Sequence, residues 1–149
     1  MELKFVSSKD VSSYLKKLNN HTQRFLHSLY KRKEFQDCSL MNMWVCDFLY
    51  ENRDKEIYQK DIEQEFFINR ATASKMLLLM EEKELIRRKA SECDGRLKKT
   101  ELLPKGRELH EVCTGIRREI EKKLTKTLSE EETEQFKHLC EKMLAGMEQ

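Results

Sequence analysis

The 149-residue sequence contains few of the residues that interrupt regular structure. It has one proline and four glycines, and the first glycine is residue 95. An all-β sandwich needs turn residues about every 8–12 positions, and collagen-like or low-complexity chains are rich in glycine and proline. The scarcity of both residues excludes these classes and favours a mainly helical chain.

The sequence also lacks the patterns of secreted and membrane proteins. Its beginning has no apolar signal-peptide core, and its longest apolar run, residues 76–80, is far shorter than the ~20 residues of a membrane span. The five cysteines contain no CxxC pair, so they match neither a disulfide framework nor a zinc site. We therefore expect a cytoplasmic protein that involves no membrane and needs no metal or other cofactor.

Apolar spacing and capping residues predict six helices and one β-hairpin. The predicted helices occupy about 7–33, 39–50, 60–66, 70–83, 104–124 and 129–147, and the predicted strands occupy 86–92 and 97–103. Ser7, Asn69 and Ser129 are the predicted helix N-caps. The fold class is therefore mainly α with a small β-hairpin.

The first and last predicted helices each carry an apolar stripe, although they lie at opposite ends of the chain. Terminal helices of this kind often form an interface, so we expect 7–34 and 108–147 to join two copies of the chain in a two-fold homodimer. The alternative is that the two stripes cover each other within one bundle. Within the single domain 1–149, residues 39–107 remain as the central part.

The central part contains a helix-turn-helix pattern, in which a capped helix follows another after a short turn at 67–69. At about 100° per residue, Ala73, Leu77 and Met80 share the inner side of the second helix. The outer side of its first turns carries Arg70, Ala71, Thr72, Ser74 and Lys75. Arginine can bind guanine, and hydroxyls can bind bases or phosphates, so this face suits the major groove of DNA. By itself, the same pattern also fits an ordinary solvated helix face.

A basic hairpin follows the second helix. Residues 70–107 carry a net charge of +5, whereas the segments before and after them carry 0 and −3. The cations of the hairpin are Arg87, Arg88, Lys89, Arg96, Lys98 and Lys99. Asp94-Gly95 predicts a primed turn with positive φ, which places Arg96 at the tip. We expect the tip arginine to enter the minor groove and the strand cations to bind phosphates, as in a DNA-binding wing.

Four segments resemble the MarR family of winged helix-turn-helix transcription regulators. They are residues 69–75 (NRATASK), 82–88 (EKELIRR), 94–98 (DGRLK) and 105–109 (KGREL). The resemblance implies a dimer built from terminal helices, a palindromic double-stranded DNA operator, and repression relieved by a small-molecule effector or by cysteine oxidation. It also implies that Arg96 is the minor-groove residue and that Asp94 is its brace. The family usually has glycine and threonine where this chain has Glu84 and Leu103.

The ligand and redox responses of the family indicate two further candidate sites. Family ligands bind between the dimer helices and the winged part, although aromatic residues at helical spacing also form ordinary cores. The candidate pocket residues are His21, Phe25, Trp44 and Phe48. Cys93, which has basic neighbours, and Cys38 are the candidate thiols of a redox-sensing repressor, with incidental cysteines as the alternative.

The sequence also leaves other function classes to consider besides a DNA-binding regulator. The main alternative is a dimeric helical adaptor that binds proteins and whose wing does not read DNA. An RNA reader is disfavoured because the hairpin has no aromatic stacking platform. No glycine-rich phosphate loop or recognisable nucleophile indicates an enzyme. The concentration of positive charge around an Asp-Gly-Arg hairpin favours the regulator over the adaptor.

Overall fold

The computed structural model describes residues 9–30, 35 and 37–148. In chain order the elements are α1 (Val11–Leu29), α2 (Leu40–Glu51), α3 (Gln59–Phe66), α4 (Arg70–Glu82), β1 (Ile86–Ala90), β2 (Lys98–Leu102), α5 (Pro104–Thr125) and α6 (Glu130–Met147). This order confirms the predicted class, six helices with one antiparallel hairpin. The chain forms two compact units, of which the first ends at Ile116 and the second begins at Arg117.

Side-chain caps begin α4 and α6 where the sequence predicts them. Asn69 Oδ1 accepts a hydrogen bond from the backbone N–H of Thr72 at 2.8 Å. Ser129 and Glu132 form a reciprocal capping box, with N···O distances of 3.0 and 3.1 Å. Each cap satisfies backbone N–H groups that have no partner within the helix, which is why these residue types mark helix starts.

The limits of α1 differ from the prediction, and both predicted limits, Ser7 and Lys33, lie outside the described residues. The backbone of Asp10 is extended and precedes the first helical residue, and the helix ends at Leu29. Tyr30 is extended and almost fully buried, and its hydroxyl donates to the carbonyl oxygen of Cys38 at 2.8 Å. Burial of this tyrosine beside the start of α2 takes the chain out of the helical path.

The core of the first unit is made of apolar side chains from every helix of that unit and from the hairpin. Ala73, Leu77 and Met80 are fully buried, which confirms the inner side predicted for α4. The other fully buried side chains include Leu26, Phe35, Met43, Val45, Ile62, Leu85 and Leu109. Because α4 buries this stripe against α3 and β1, its opposite face is left exposed.

The hairpin carries an additional short strand pairing that the sequence did not predict. Its two strands are antiparallel, and Ile86 pairs with Leu102 at one end and Ala90 with Lys98 at the other. The backbone N–H of Thr100 also donates to the carbonyl oxygen of Ile57 at 2.7 Å, and Tyr58 bridges Lys99. The segment before α3 thus covers the free edge of β2 and attaches the hairpin to the rest of the unit.

The predicted primed turn at Asp94-Gly95 is wrong, because neither residue has a positive φ. The strands end at Ala90 and Lys98, so the connection spans seven residues, 91–97. The N–H of Leu97 donates to the carbonyl oxygen of Asp94 at 3.0 Å and closes an ordinary turn inside this longer loop. A loop of this length reverses the chain without the left-handed backbone that a two-residue hairpin requires.

The end of α4 adopts the conformation for which the family usually has glycine. Glu84 has φ 61°, and the N–H of Leu85 donates to the carbonyl oxygen of Met80. The N–H of Glu84 donates to the carbonyl oxygen of Glu81, which completes a Schellman motif. The left-handed conformation costs a residue with a side chain about 1 kcal/mol. At the next helix start, Pro104 is the first residue of α5, as predicted.

Candidate nucleic-acid interface

The first turns of α4 present one exposed polar and basic face. The structure brings together all five residues predicted there, and each of them is exposed: Arg70, Ala71, Thr72, Ser74 and Lys75. The Asn69 cap fixes the start of the helix, and the buried stripe fixes its rotation. The exposed face therefore has the width and chemistry of a helix that can lie in the major groove.

Gln59 contacts this face, and sequence reasoning did not identify it. Its Nε2 donates to Ser74 Oγ at 2.9 Å and to the carbonyl oxygen of Arg70 at 3.4 Å. Because Gln59 occupies one lone pair of the hydroxyl, the O–H of Ser74 is left to donate outward. The only sequence feature that could have indicated Gln59 is its place at the start of the first helix of the helix-turn-helix.

The hairpin tip presents Arg96 almost entirely to solvent, with 91% of its side chain exposed. Asp94 Oδ1 accepts from the backbone N–H of Arg96 at 3.0 Å and from its Nε at 3.3 Å. Asp94 Oδ2 accepts from Nη2 at 3.4 Å. The carboxylate therefore lies where the resemblance implies a brace, and a Cβ placed on the neighbouring Gly95 would meet nothing within 4 Å.

Most cations of the strands are engaged by glutamates. Glu101 lies 3.0 Å from Arg87, 3.2 Å from Lys99 and 3.6 Å from Lys89, measured between side-chain nitrogen and oxygen atoms. Burial raises the pKa of Glu101, but hydrogen bonds from Arg87 and Lys99 outweigh this effect and leave the pKa below its usual range. Only 13% of the Lys99 side chain is exposed. The net charge of +5 on residues 70–107 is therefore larger than the positive charge that is available to bind phosphates.

Arg88 and Lys98 show the two extremes of this hairpin surface. Arg88 is mostly covered and forms an ion pair with Glu81 at 2.6 Å, which joins β1 to α4. Lys98 begins β2 and is exposed, and among the described residues its side chain forms no ion pair or hydrogen bond. Of the predicted phosphate-binding cations, Lys98 is the one most available for that role.

A carboxylate beside the start of the hairpin loop is strongly hydrogen-bonded. Glu56 Oε2 accepts from the hydroxyl of Tyr58 at 2.5 Å and from that of Ser91 at 2.6 Å. Hydrogen bonds from Ser91 and Tyr58 lower the pKa of Glu56 to about 2, so it is ionised at neutral pH. The hydrogen bond to the same carboxylate raises the pKa of Tyr58 above its usual value. In the sequence, this stretch is recognisable only as a polar connection between α2 and α3.

The four predicted pocket residues have different surroundings. His21 is exposed and lines a shallow depression with other polar residues of α1: Lys17, Asn20, Gln23 and Arg24. Phe48 is half-buried, and its ring meets Phe66 edge-on at 5.8 Å. Phe25 is also half-buried, and Trp44 is 40% exposed. A cavity of about 440 Å³ lies between the end of α2, residues 52–57 and the hairpin.

The two candidate redox cysteines have opposite surroundings. Cys93 is exposed in the loop before the hairpin tip. Cys38 is fully buried, and burial raises the pKa of its thiol despite the opposing effect of Lys83 and Lys105. A reactive thiol needs access and a stabilised thiolate, so the surroundings of Cys38 are those of a structural cysteine.

Two kinds of site are missing from the part of the chain that the structure describes. No three histidine, cysteine or acidic side chains come together there as a metal-binding group. None of the helices within those residues combines the length and the apolar composition needed to cross a membrane.

Comparisons with known proteins agree with this geometry. The sequence profile of the MarR family matches residues 40–97, from the start of α2 to the hairpin tip. A comparison with proteins of curated function gave no match. The matched chain in a crystal structure of the MepR–DNA complex of S. aureus has 28% sequence identity to this chain. The TM-score of the two structures is 0.78, and the match covers 93% of this chain and 96% of that chain.

Two more solved structures are similar along nearly their whole length. The transcription regulator MarR from Oenococcus oeni is 29% identical, with a TM-score of 0.70 over 91% of this chain and 99% of that chain. A mutant of S. aureus MepR is 31% identical, with a TM-score of 0.60 over 93% of this chain and 99% of that chain. The six-helix order with a hairpin after the fourth helix completes the correspondence. The chain belongs to the MarR family of winged helix-turn-helix regulators.

Proposed function

We propose that this chain regulates transcription by binding double-stranded DNA as a homodimer, with α4 in the major groove and Arg96 in the adjacent minor groove. The observation that carries the proposal is that one compact unit presents the polar and basic start of α4 together with a solvent-exposed, braced arginine. MepR of S. aureus, a relative with the same fold, has been crystallised with DNA. As a member of a family of transcription regulators, the chain is not an enzyme.

Exposed apolar side chains on the terminal helices support the homodimer. In α1 they are Val11, Tyr14, Leu15 and Leu18, and in α6 they are Phe136, Leu139, Met143, Leu144 and Met147. Rows of this kind on a single copy are typical of surfaces that a second copy covers. A two-fold dimer presents two α4 helices and two arginines, and therefore binds a palindromic operator in the cytoplasm, where the DNA lies. A protein bound at a promoter excludes the polymerase, so we infer that the dimer is a repressor. Binding of a small-molecule effector would release this repressor from the operator.

Selection of bound duplexes from random DNA, followed by titration of the best duplex, tests this proposal. We expect a palindrome with half-sites about one helical turn apart. Arg96→Ala should weaken binding by about tenfold or more, because it removes the cation that we place in the negative potential of the minor groove. Affinity should also fall with salt, with a log–log slope of about −0.9 for each phosphate contact. Arg118→Ala removes the same charge from an exposed position of α5 and should change affinity less than twofold.

Two results would contradict the proposal. The first is the recovery of no preferred duplex together with salt-independent binding, which is the behaviour of a protein-binding adaptor. The second is an Arg96→Ala dimer that binds the selected duplex as tightly as the unchanged protein. Measuring the mass of each variant in solution ensures that a loss of affinity is not a loss of the dimer.

A further inference from the structure

A continuous series of hydrogen bonds connects the loop before α3 to the arginine at the hairpin tip. It begins at Glu56 and passes through the hydroxyl of Ser91 to the backbone N–H of Asp94, whose own carboxylate accepts hydrogen bonds from Arg96. Sequence positions 56 and 91 are 35 residues apart, so only the folded chain brings the first two members together. Neither the resemblance to the family nor the positions predicted to contact DNA include Glu56 or Ser91.

The first half of this series anchors Ser91 to the body of the unit. Ser91 is 5% exposed, and its O–H donates to Glu56 Oε2 at 2.6 Å. Tyr58 donates to the same oxygen, and the backbone N–H of Glu92 donates to Oε1 at 3.3 Å. Lys99 Nζ lies 3.8 Å from Oε1. Glu56 is therefore held from several sides and acts as a fixed acceptor for the first residue of the 91–97 loop.

The second half of the series shapes the tip itself. Ser91 Oγ accepts from the backbone N–H groups of Cys93 at 3.0 Å and Asp94 at 3.2 Å. A hydroxyl has one proton to donate, and because that proton goes to Glu56, its lone pairs face the two N–H groups. Asp94 is thereby fixed and in turn holds both the backbone and the guanidinium of Arg96.

We propose that Glu56 is a positioning residue for Arg96, which orients the hairpin tip for the minor groove through Ser91 and Asp94. The proposal rests on the DNA-binding function proposed above and adds a residue that does not itself touch DNA. A loop of seven residues that contains Gly95 has many conformations, and ordering it during binding would reduce affinity. The Glu56–Ser91 contact orders the loop beforehand.

The sign of the expected effect separates positioning from simple electrostatics. Glu56 is negatively charged, so removing it near a DNA surface should strengthen binding if charge alone mattered. If removal of the Glu56 carboxylate lowers the affinity for DNA, the loss can therefore be assigned to a disordered hairpin tip. Glu92 provides a matched control, because it carries the same charge on the same loop and its side chain forms no hydrogen bond or ion pair among the described residues.

The test measures the affinity of full-length dimeric variants for the duplex recovered by selection, labelled with fluorescein. Glu56→Ala and Ser91→Ala should each weaken binding about five- to tenfold, the effect of ordering one or two mobile side chains. Glu56→Gln keeps a carbonyl oxygen for the two hydroxyls and should lose less than threefold. Glu92→Ala should bind as tightly as the unchanged protein or slightly more tightly. Ser91→Ala preserves the test if Glu56→Ala does not fold.

A double-mutant cycle with Arg96→Ala completes the test, since a positioning residue has no effect once its target is gone. In the Arg96→Ala background, Glu56→Ala should add less than a twofold loss. An equal loss in both backgrounds, or unchanged or tighter binding by both Glu56→Ala and Ser91→Ala, would overturn the positioning role while leaving the proposed function intact. If Arg96→Ala alone does not weaken binding, the role of the tip in the proposed function fails first.

Discussion

The contact between the start of α5 and the end of α4 offers a sharp test of the fold. A Cβ atom placed on Gly106 would lie 2.1 Å from the carbonyl oxygen of Leu85 and 2.8 Å from Leu102 Cδ2. The same carbonyl oxygen accepts from the N–H of Leu103 at 3.0 Å. Leu85 follows the left-handed Glu84 and is fully buried, so its backbone cannot swing aside. Only glycine fits at position 106.

The cost of Gly106→Ala follows from these distances. Ordinary contact begins at 3.4 Å, so the 2.1 Å separation must grow by about 1.3 Å, and overpacking of this kind costs about 1–3 kcal/mol. Displacing Leu85 also breaks its hydrogen bond with Leu103, which costs about 1–3 kcal/mol in a buried setting. The better helix propensity of alanine returns about 1 kcal/mol. We expect the free energy of unfolding to fall by about 3 kcal/mol, a large part of the stability of a small domain.

Urea unfolding followed by circular dichroism, at one fixed protein concentration, measures this loss. The matched control is Gly115→Ala in the same helix, because nothing lies within 4 Å of a Cβ at that position. The control should raise the free energy of unfolding by about 0.5–1 kcal/mol through helix propensity alone. A Gly106→Ala protein within about 0.5 kcal/mol of the unchanged one would refute the close packing of α5 against Leu85.

Two further predictions concern the backbone of α4 and the thiols. In urea unfolding, Glu84→Gly should have a larger free energy of unfolding than the unchanged protein, and Glu84→Val a smaller one. Valine should lower this free energy by about 1 kcal/mol, because a β-branched residue is strained at φ 61°. A Glu84→Val protein at least as stable as the Glu84→Gly protein would contradict the left-handed cap. In the folded protein at pH 8, iodoacetamide should modify Cys93, while Cys38, Cys46 and Cys113 react only after unfolding, since all three are buried and burial raises the pKa of the first two. Peptide mass spectrometry measures the labelling, and rapid modification of Cys38 in the folded protein would refute its structural role.

Features that depend on residues close in sequence were predictable. Asn69 and Ser129 cap their helices because a cap needs only an oxygen side chain beside the free N–H groups of the first turn. The inner and outer sides of α4 follow from helical periodicity, and burial of Ala73 and Leu77 confirms them. The contact between Asp94 and Arg96 spans two positions, so the resemblance of the hairpin motif was enough to anticipate it.

Features that join distant segments were not predictable in the same way. The strand pairing of Ile57 with Thr100, the ion pairs of Glu101 and the acceptor role of Glu56 all depend on which segments lie side by side. The loop between Ala90 and Lys98 shows the same limit, since the Asp-Gly pair suggested a two-residue turn and the actual strand ends left a longer one. Strand length depends on packing against the rest of the unit as well as on local preference.

The sequence by itself determined the helical class, the helix-turn-helix, the basic hairpin and the family resemblance, because periodicity, capping and charge are properties of neighbouring residues. Only the tertiary structure decided which of the cations are free to meet DNA. Lys99 is covered and paired with Glu101, whereas Arg96 is exposed and oriented by a chain of hydrogen bonds that begins at Glu56. Charge is counted along the sequence, but its availability depends on burial and on partners that folding brings from elsewhere in the chain.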